Sequence, residues 1–193
     1  MIFFDIETKN FFGDGGSDGP SRLTDLEVSF VGAYDSETGR SMSFWEDDLK
    51  DLESVLKNAD RVVGYNSWQF DYGVLASYFS VDPHGFPSLD LMLAMKRTVG
   101  FRPKLDDLAR ANVGSGKIGR GSDAGLYWKR GELDKLEKYC LEDVRLTYEV
   151  WKRGEETGQL KYYNKRGFLG TTSIDWRSGF VQKIDEMEQG TLL

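Results

Sequence analysis

The stretch that most constrains this chain is its first eight residues, Met1–Thr8, which read MIFFDIET. The β-branched and aromatic run Ile2–Phe4 favours a strand. Residues i and i+2 of a strand share a face, so Asp5 and Glu7 project side by side, roughly 6–7 Å apart along the chain. Two like charges so placed repel, and burying them is costly unless something cationic compensates. A divalent metal ion is the obvious candidate. The plain alternative is an edge strand whose polar face lies in water. What decides between them is whether the rest of the chain brings more carboxylates to the same place.

Length and composition bound the answer. A chain of 193 residues is long enough for one well-buried domain and cramped for two. A hydrophobic fraction of 39% with 13% aromatics is that of a globular protein. No apolar run approaches the roughly 20 residues of a membrane span, so no membrane role is expected. The N-terminus lacks a basic segment followed by an apolar one, so no secretory leader is expected. Cys140 is the single cysteine, which excludes an internal disulfide and suits a reducing, cytoplasmic setting. His84 is the single histidine, which leaves no Cys/His zinc cluster. The net charge of −7 argues against indiscriminate coating of nucleic acid, but it averages over an asymmetry. Residues 1–95 carry 6 basic and 17 acidic side chains, whereas residues 96–166 carry 17 basic and 11 acidic. An acidic half could hold metal ions and a basic middle a polyanion; a solvated helical region rich in Lys and Arg would look the same.

After the opening strand, the Gly- and Asp-rich segment Lys9–Leu23 reads as a surface loop. Leu26–Tyr34 suits a strand, Asp35–Arg40 a hairpin turn and Ser41–Trp45 a returning strand. Apolar spacing predicts a helix over Glu46–Asn58, a buried strand over Arg61–Tyr65 and a helix over Gln69–Phe79. Leu89–Lys96 and Leu105–Ala111 read as helices, and Asn112–Ser122 as a glycine-rich loop bearing Lys117 and Arg120. The longest helix is expected from about Glu132 to Arg153, with Gly154 as its end. Gly167–Trp176 reads as a small hairpin in an otherwise illegible tail. Strands first and helices later imply an α/β fold, a mixed sheet flanked by helices in a single domain. Residues 1–160 would form that domain and 161–193 an extension packed on it or a small hairpin.

Further polar residues fall where a site could use them. Asp71 lies early in a helix that follows a buried strand. Tyr139 and Asp143 are four apart on the long helix and hence neighbours on one face, with Asp143 at the rim of the core. Three segments, FDIET, VVGYNSWQFD and YCLEDV, resemble the three motifs of the DEDD superfamily of 3′–5′ exonucleases. The tyrosine four residues before the last aspartate is that superfamily's tyrosine variant, and the phrasing is most similar to the proofreading domain of family B DNA polymerases and its stand-alone relatives. The resemblance spans about residues 1–153 and implies a ribonuclease H-like fold with a mixed five-stranded sheet.

It also implies a chemistry. Four carboxylates would hold two Mg²⁺ or Mn²⁺ ions, hard cations suited to oxygen ligands. By similarity Asp5 would bridge the two ions, Glu7 and Asp143 would complete one site, and Asp71 would support the other through water. Tyr139 would orient the attacking water. Thr8, Asn66 and Phe70 would meet the terminal nucleotides. Outside the resemblance, Lys117, Arg120, Lys129 and Arg130 would either track the strand or form an ordinary solvated surface. The expected substrate is the 3′ end of single-stranded DNA, or less favourably RNA. Any polymerase or helicase partner would be a separate protein. A non-catalytic nucleic-acid-binding scaffold and an internally cutting ribonuclease H-like nuclease are the alternatives.

Overall fold

β1 (Ile2–Thr8) forms where the apolar run requires it, and its alternation sorts the two sides of the molecule. Ile2, Phe4 and Ile6 enter one hydrophobic cluster and Phe3 enters another. Asp5 and Glu7, in register with Phe3, therefore lie on the second side. The computed structural model describes residues 1–12, 19–116 and 121–181, apart from the side chains of residues 121 and 122.

β2 (Val28–Asp35) pairs antiparallel with β1, and β3 (Arg40–Trp45) pairs antiparallel with β2. On the other side of β1, β4 (Val62–Gly64) runs parallel to it and β5 (Ser88–Asp90) runs parallel to β4. A short antiparallel strand, β8 (Phe180–Val181), closes that edge, so the order is β3-β2-β1-β4-β5-β8. On one face of the sheet, α1 (Leu49–Lys57) and α2 (Asp71–Leu75) contribute Leu52, Leu56, Tyr72 and Leu75 to the first cluster. On the other face, α3 (Leu91–Val99), α4 (Leu105–Val113) and α6 pack around Phe3, Val63 and Leu89. α5 (Gly121–Lys129) leans against α6 (Leu133–Thr157), whose 25 residues span roughly 37 Å. The tail adds a hairpin of β6 (Gln159–Tyr163) and β7 (Leu169–Ser173), then β8 (Phe180–Val181).

The mixed α/β sheet flanked by helices is as expected, but it has six strands instead of five. The sixth, β8, comes from the tail that sequence patterning could not read; only Phe180 and Val181 pair, against Leu89 and Ser88. Other boundaries move for identifiable reasons. The helix expected over Gln69–Phe79 shrinks to α2, with Gly73 so tight on Leu23 that a Cβ there would lie 2.5 Å from Leu23 Cδ1. Leu89 belongs to β5, because Asp90 accepts the Leu93 N–H and so begins α3 after it. The loop expected over Asn112–Ser122 is invaded from both sides by α4 and α5. The hairpin uses 159–173 instead of Gly167–Trp176, with Gly167 at φ +81° in its turn.

Gly154 is the most informative departure. It does not end α6; Gly158 does, at φ +64° with its N–H donating to the Gly154 carbonyl. Gly154 is instead buried against the Trp176 indole, where a Cβ would lie 2.6 Å from Cζ2. Glycine inside an exposed helix is ordinarily improved by alanine, by about 1 kcal/mol. Here Gly154→Ala is expected to have the opposite sign, destabilising by about 1–3 kcal/mol through overpacking. A chemical-denaturation midpoint below that of the parent checks it; a midpoint above it would mean that Trp176 moves aside freely.

Candidate active site

β1 outruns its parallel neighbour. β4 pairs with it only at Ile2 and Phe3, so Asp5 to Thr8 extend past the carboxyl end of β4. The chain uses that gap to turn back on itself. A Cβ on Gly64 would lie 2.4 Å from Ser67, so glycine is what permits so sharp a reversal. Asn66 takes a left-handed conformation (φ 67°), which asparagine tolerates better than most residues. Its N–H donates to Asp90 Oδ1 (3.0 Å) and that of Trp68 to Asp90 Oδ2 (3.1 Å). The turn so braced delivers Asp71 to the uncovered edge of β1, where its carboxylate accepts a hydrogen bond from the Ile6 N–H. Asp71 is 3% exposed.

α6 arrives from the other side. Gly32 of β2, opposite Asp5, lets it approach: a Cβ there would lie 3.1–3.3 Å from side-chain atoms of Leu141, Cys140 and Val144. The Gly32 N–H donates to Cys140 Sγ, and that thiol lies 3.3 Å from the Asp5 carbonyl. Asp143 and Tyr139 are thereby buried at 2% exposure each. Carboxylate oxygens of Asp5 and Glu7 and the Cys140 sulfur all lie within 4.8 Å of one another.

Electrostatics tie the set together. Burial, then the charges of Asp5 and Asp90, push the Asp71 carboxyl well above the usual range. Burial, then Asp143, Glu7, Asp5 and Asp123, push the Tyr139 phenol up. Burial, then Asp5 and Glu7, raise the Cys140 thiol. The charges that act most on these groups are carboxylates. So dense a negative field, made of hard oxygen donors at the carboxyl ends of parallel strands, fits a divalent cation such as Mg²⁺ or Mn²⁺. The protonated thiol of Cys140 is a packing group beneath Asp5, since a soft metal would need the thiolate.

The remaining expected site residues line the mouth or fall outside view. Thr8 follows an irregularity in the β1–β2 register and donates its hydroxyl to the Asn10 carbonyl (2.7 Å). Asn66 and Phe70 are half-buried beside the turn, with Phe70 resting on the first core cluster. α5 walls the opposite side: Gly125 packs on Phe11, and Lys129 lies 4.9 Å from the Phe11 ring. Lys117 and Arg120 lie outside the described residues.

Three residues that shape the site escaped sequence reasoning. Asp90 positions Asn66 and Trp68, and its signal was available as a helix cap just before Leu91–Met95. Asp123, in the first turn of α5, adds its charge to Tyr139, but it lies just past the expected loop Asn112–Ser122, where no element was expected. Cys140 was visible only as a core position.

Residues 78–166 match a family described as a predicted 3′–5′ exonuclease related to the exonuclease domain of PolB. Tyr139 and Asp143 fall within that match; Asp5, Glu7 and Asp71 precede it. Among solved structures, the family B DNA polymerase of the hyperthermophilic archaeon Pyrobaculum calidifontis is similar in fold, with a TM-score of 0.60 and 21% identity over 80% of this chain. The family match covers less than half of this chain, and the chain spans 24% of that polymerase's length. No curated protein matches.

The burial of charge at this site has a measurable consequence. Asp71 is held with a raised pKa, so the fold prefers its neutral form. That contribution is full below the usual carboxylate range and is lost as pH rises through the raised value. In EDTA, Asp71→Asn is therefore expected to raise the melting temperature at about pH 8, by roughly 2–4 °C per kcal/mol of relieved repulsion, and to change it little at about pH 5. Thermal melts at the two pH values check this. A lower melting temperature at the higher pH would mean that the ionised form is the one the fold accommodates.

Proposed function

We propose that the chain is a metal-dependent 3′–5′ exonuclease that removes nucleoside monophosphates from the 3′ end of a single strand, DNA in preference to RNA. The observation that carries this is a clustering of carboxylates from one strand and two helices: Asp143, Glu7 and Asp5 act on the buried Tyr139, and Asp5 acts on the buried Asp71. Asp5, Glu7, Asp71 and Asp143 would hold two divalent cations. Such ions, when bound, neutralise developing charge on phosphate oxygens and lower the pKa of water. The protein's own contributions follow from its geometry. Asp71 and Asp143 come from separate helices anchored in the core, so the donor set is fixed before substrate arrives.

Tyr139 has a phenol pushed up by burial and carboxylates, so it remains protonated and acts as a hydrogen-bond donor to the attacking water instead of as a base. Asn66 and Phe70 present an amide and an aromatic edge at the mouth, suited to sugar and base contacts at the terminal nucleotide. Thr8 and the backbone that follows it would bracket the 3′ hydroxyl.

The test is degradation of a 5′-labelled single strand, DNA and RNA in parallel, with Mg²⁺, Mn²⁺ or EDTA. A ladder shortening from the 3′ end is expected with either metal and none with EDTA. Asp5→Ala should lower the rate by about 10³-fold or more, the scale of removing an electrostatic anchor from a phosphoryl site. Cleavage of a circular single strand would instead identify an internally cutting nuclease. Tyr139→Phe separates orientation from binding. Its kcat is expected to fall by about 10²-fold, the scale of losing one positioned proton donor, with KM close to the parent's. Steady-state kinetics on a short oligonucleotide read both.

A further inference from the structure

The hairpin that follows α6 has no part in the site above, and its own residues carry cations without carboxylates. Residues 158–174 contain Lys161, Lys165 and Arg166 and no Asp or Glu, and residues 91–105 contain four cations and no Asp or Glu, in a chain of net charge −7. At the tip, Phe168 is 66% and Leu169 55% exposed, and Tyr163, paired with Leu169, is 37% exposed. These apolar groups stand on a rigid turn. Asn164 Oδ1 accepts the N–H groups of Arg166 and Phe168, and the Asn164 backbone pairs with Phe168 and Gly167. The base of the hairpin is pinned too, since the Asn112 side chain both accepts from and donates to the Lys161 backbone at 2.8 Å.

A bridge connects this tip to the mouth of the site. Tyr65, next to Asn66, donates its hydroxyl to the Pro103 carbonyl (2.6 Å), which fixes the loop of residues 100–104. From that loop exposed Arg102 reaches Gln69, one residue before Phe70, at 2.7 Å. Its neighbour Phe101 has its ring 6.2 Å from that of Tyr162, with Lys165 at 6.0 Å from Phe101. Cations and aromatic faces thus continue from the turn that holds Asn66 and Phe70 out to Phe168. Along α6, Asp143 to Thr157 is roughly 21 Å, too far for the terminal nucleotide to reach both.

We propose that loop 100–104 and the β6–β7 tip form a second subsite, which holds single-stranded nucleic acid several nucleotides upstream of the 3′ end. Phe168 offers a base a stacking face, and Arg102, Lys165 and Arg166 meet phosphates. Stacking platforms flanked by cations bind single strands without reading sequence, as a processive end-trimming enzyme requires. This rests on the exonuclease reading for the direction in which the strand lies.

The experiment is fluorescence anisotropy on the full chain in EDTA with 5′-labelled oligothymidylates of roughly 3 and roughly 12 nucleotides. The longer strand is expected to bind at least about 10-fold more tightly, from one stacked base and two to three phosphate contacts. Phe168→Ala should lower its affinity about 5-fold or more. Lys165→Ala/Arg166→Ala should lower it further and reduce the slope of log affinity against log salt by about 1.4. Circular dichroism of each variant confirms that the hairpin change has not unfolded the chain. A charge-matched pair on α1, Lys50→Ala/Lys57→Ala, should leave the length ratio as in the parent.

Equal affinity for the two lengths, or equal loss in the α1 pair, overturns the proposal. Because EDTA uncouples binding from cleavage, the two readings fail separately. Length-dependent binding without strand shortening would sink the exonuclease and keep the subsite. Shortening with no length dependence would do the reverse.

Discussion

Everything at the site depends on how closely α6 lies on the β1–β2 pair, and Gly32 sets that distance. Any side chain there would meet Leu141, Cys140 and Val144 at about the limit of tolerated contact. The helix would have to lift, and because Asp143 and Tyr139 ride on it, they would withdraw from Asp5 and Glu7. The same contact places Cys140 where its sulfur takes the Gly32 N–H and abuts the Asp5 backbone. A small, soft side chain is suited to that seam. A larger one would separate the carboxylates, and a charged one would add to their repulsion.

Two buried aspartates show how the fold distinguishes support from chemistry. Asp90 is fully buried, and its oxygens accept N–H groups from Asn66, Trp68 and Leu93. It joins β5, α3 and the turn before α2; burial raises its carboxyl, and the backbone N–H groups of Leu93, Trp68, Asn66 and Met92 counter that shift. Asp71 also takes a backbone N–H, but burial and the charge of Asp5 outweigh it. Stability alone would favour an amide there. A buried carboxylate held at such a disadvantage beside the charges of Asp5 and Asp90 is a candidate for a group kept for what it binds.

The strand D-x-E, the turn segment and the helical Tyr–Asp pair were legible because each is local: period two on β1, and i to i+4 on α6. That all of them meet was not written in any period; it came from the resemblance. What stayed hidden depends on contacts distant in sequence. Gly154 reads as a helix end by every local rule, and only Trp176, across the chain, makes it an interior residue. β8 is two residues long, too short for alternation to register, and exists because β5 has an edge to cover. Asp90 was hidden by an expected helix that began two residues too early, at Leu89.

The charge asymmetry of the chain resolves into two different things. Along the helices many cations are matched locally: Arg145 by Glu142 and Glu149, Arg110 by Asp106, Lys135 by Glu132. Such exposed pairs are worth at most about 1 kcal/mol each and describe a solvated helical surface, the plain reading of a basic middle. The segments 91–105 and 158–174 differ because they contain no carboxylate with which to pair internally. Screening limits a surface charge to about 8 Å at physiological salt, so a strand at the hairpin tip senses Lys165 and Arg166 far more than the carboxylates of the site. A net charge of −7 is therefore no obstacle to a polyanion, provided that it enters along the positive loop and meets the negative centre only where cations would be held.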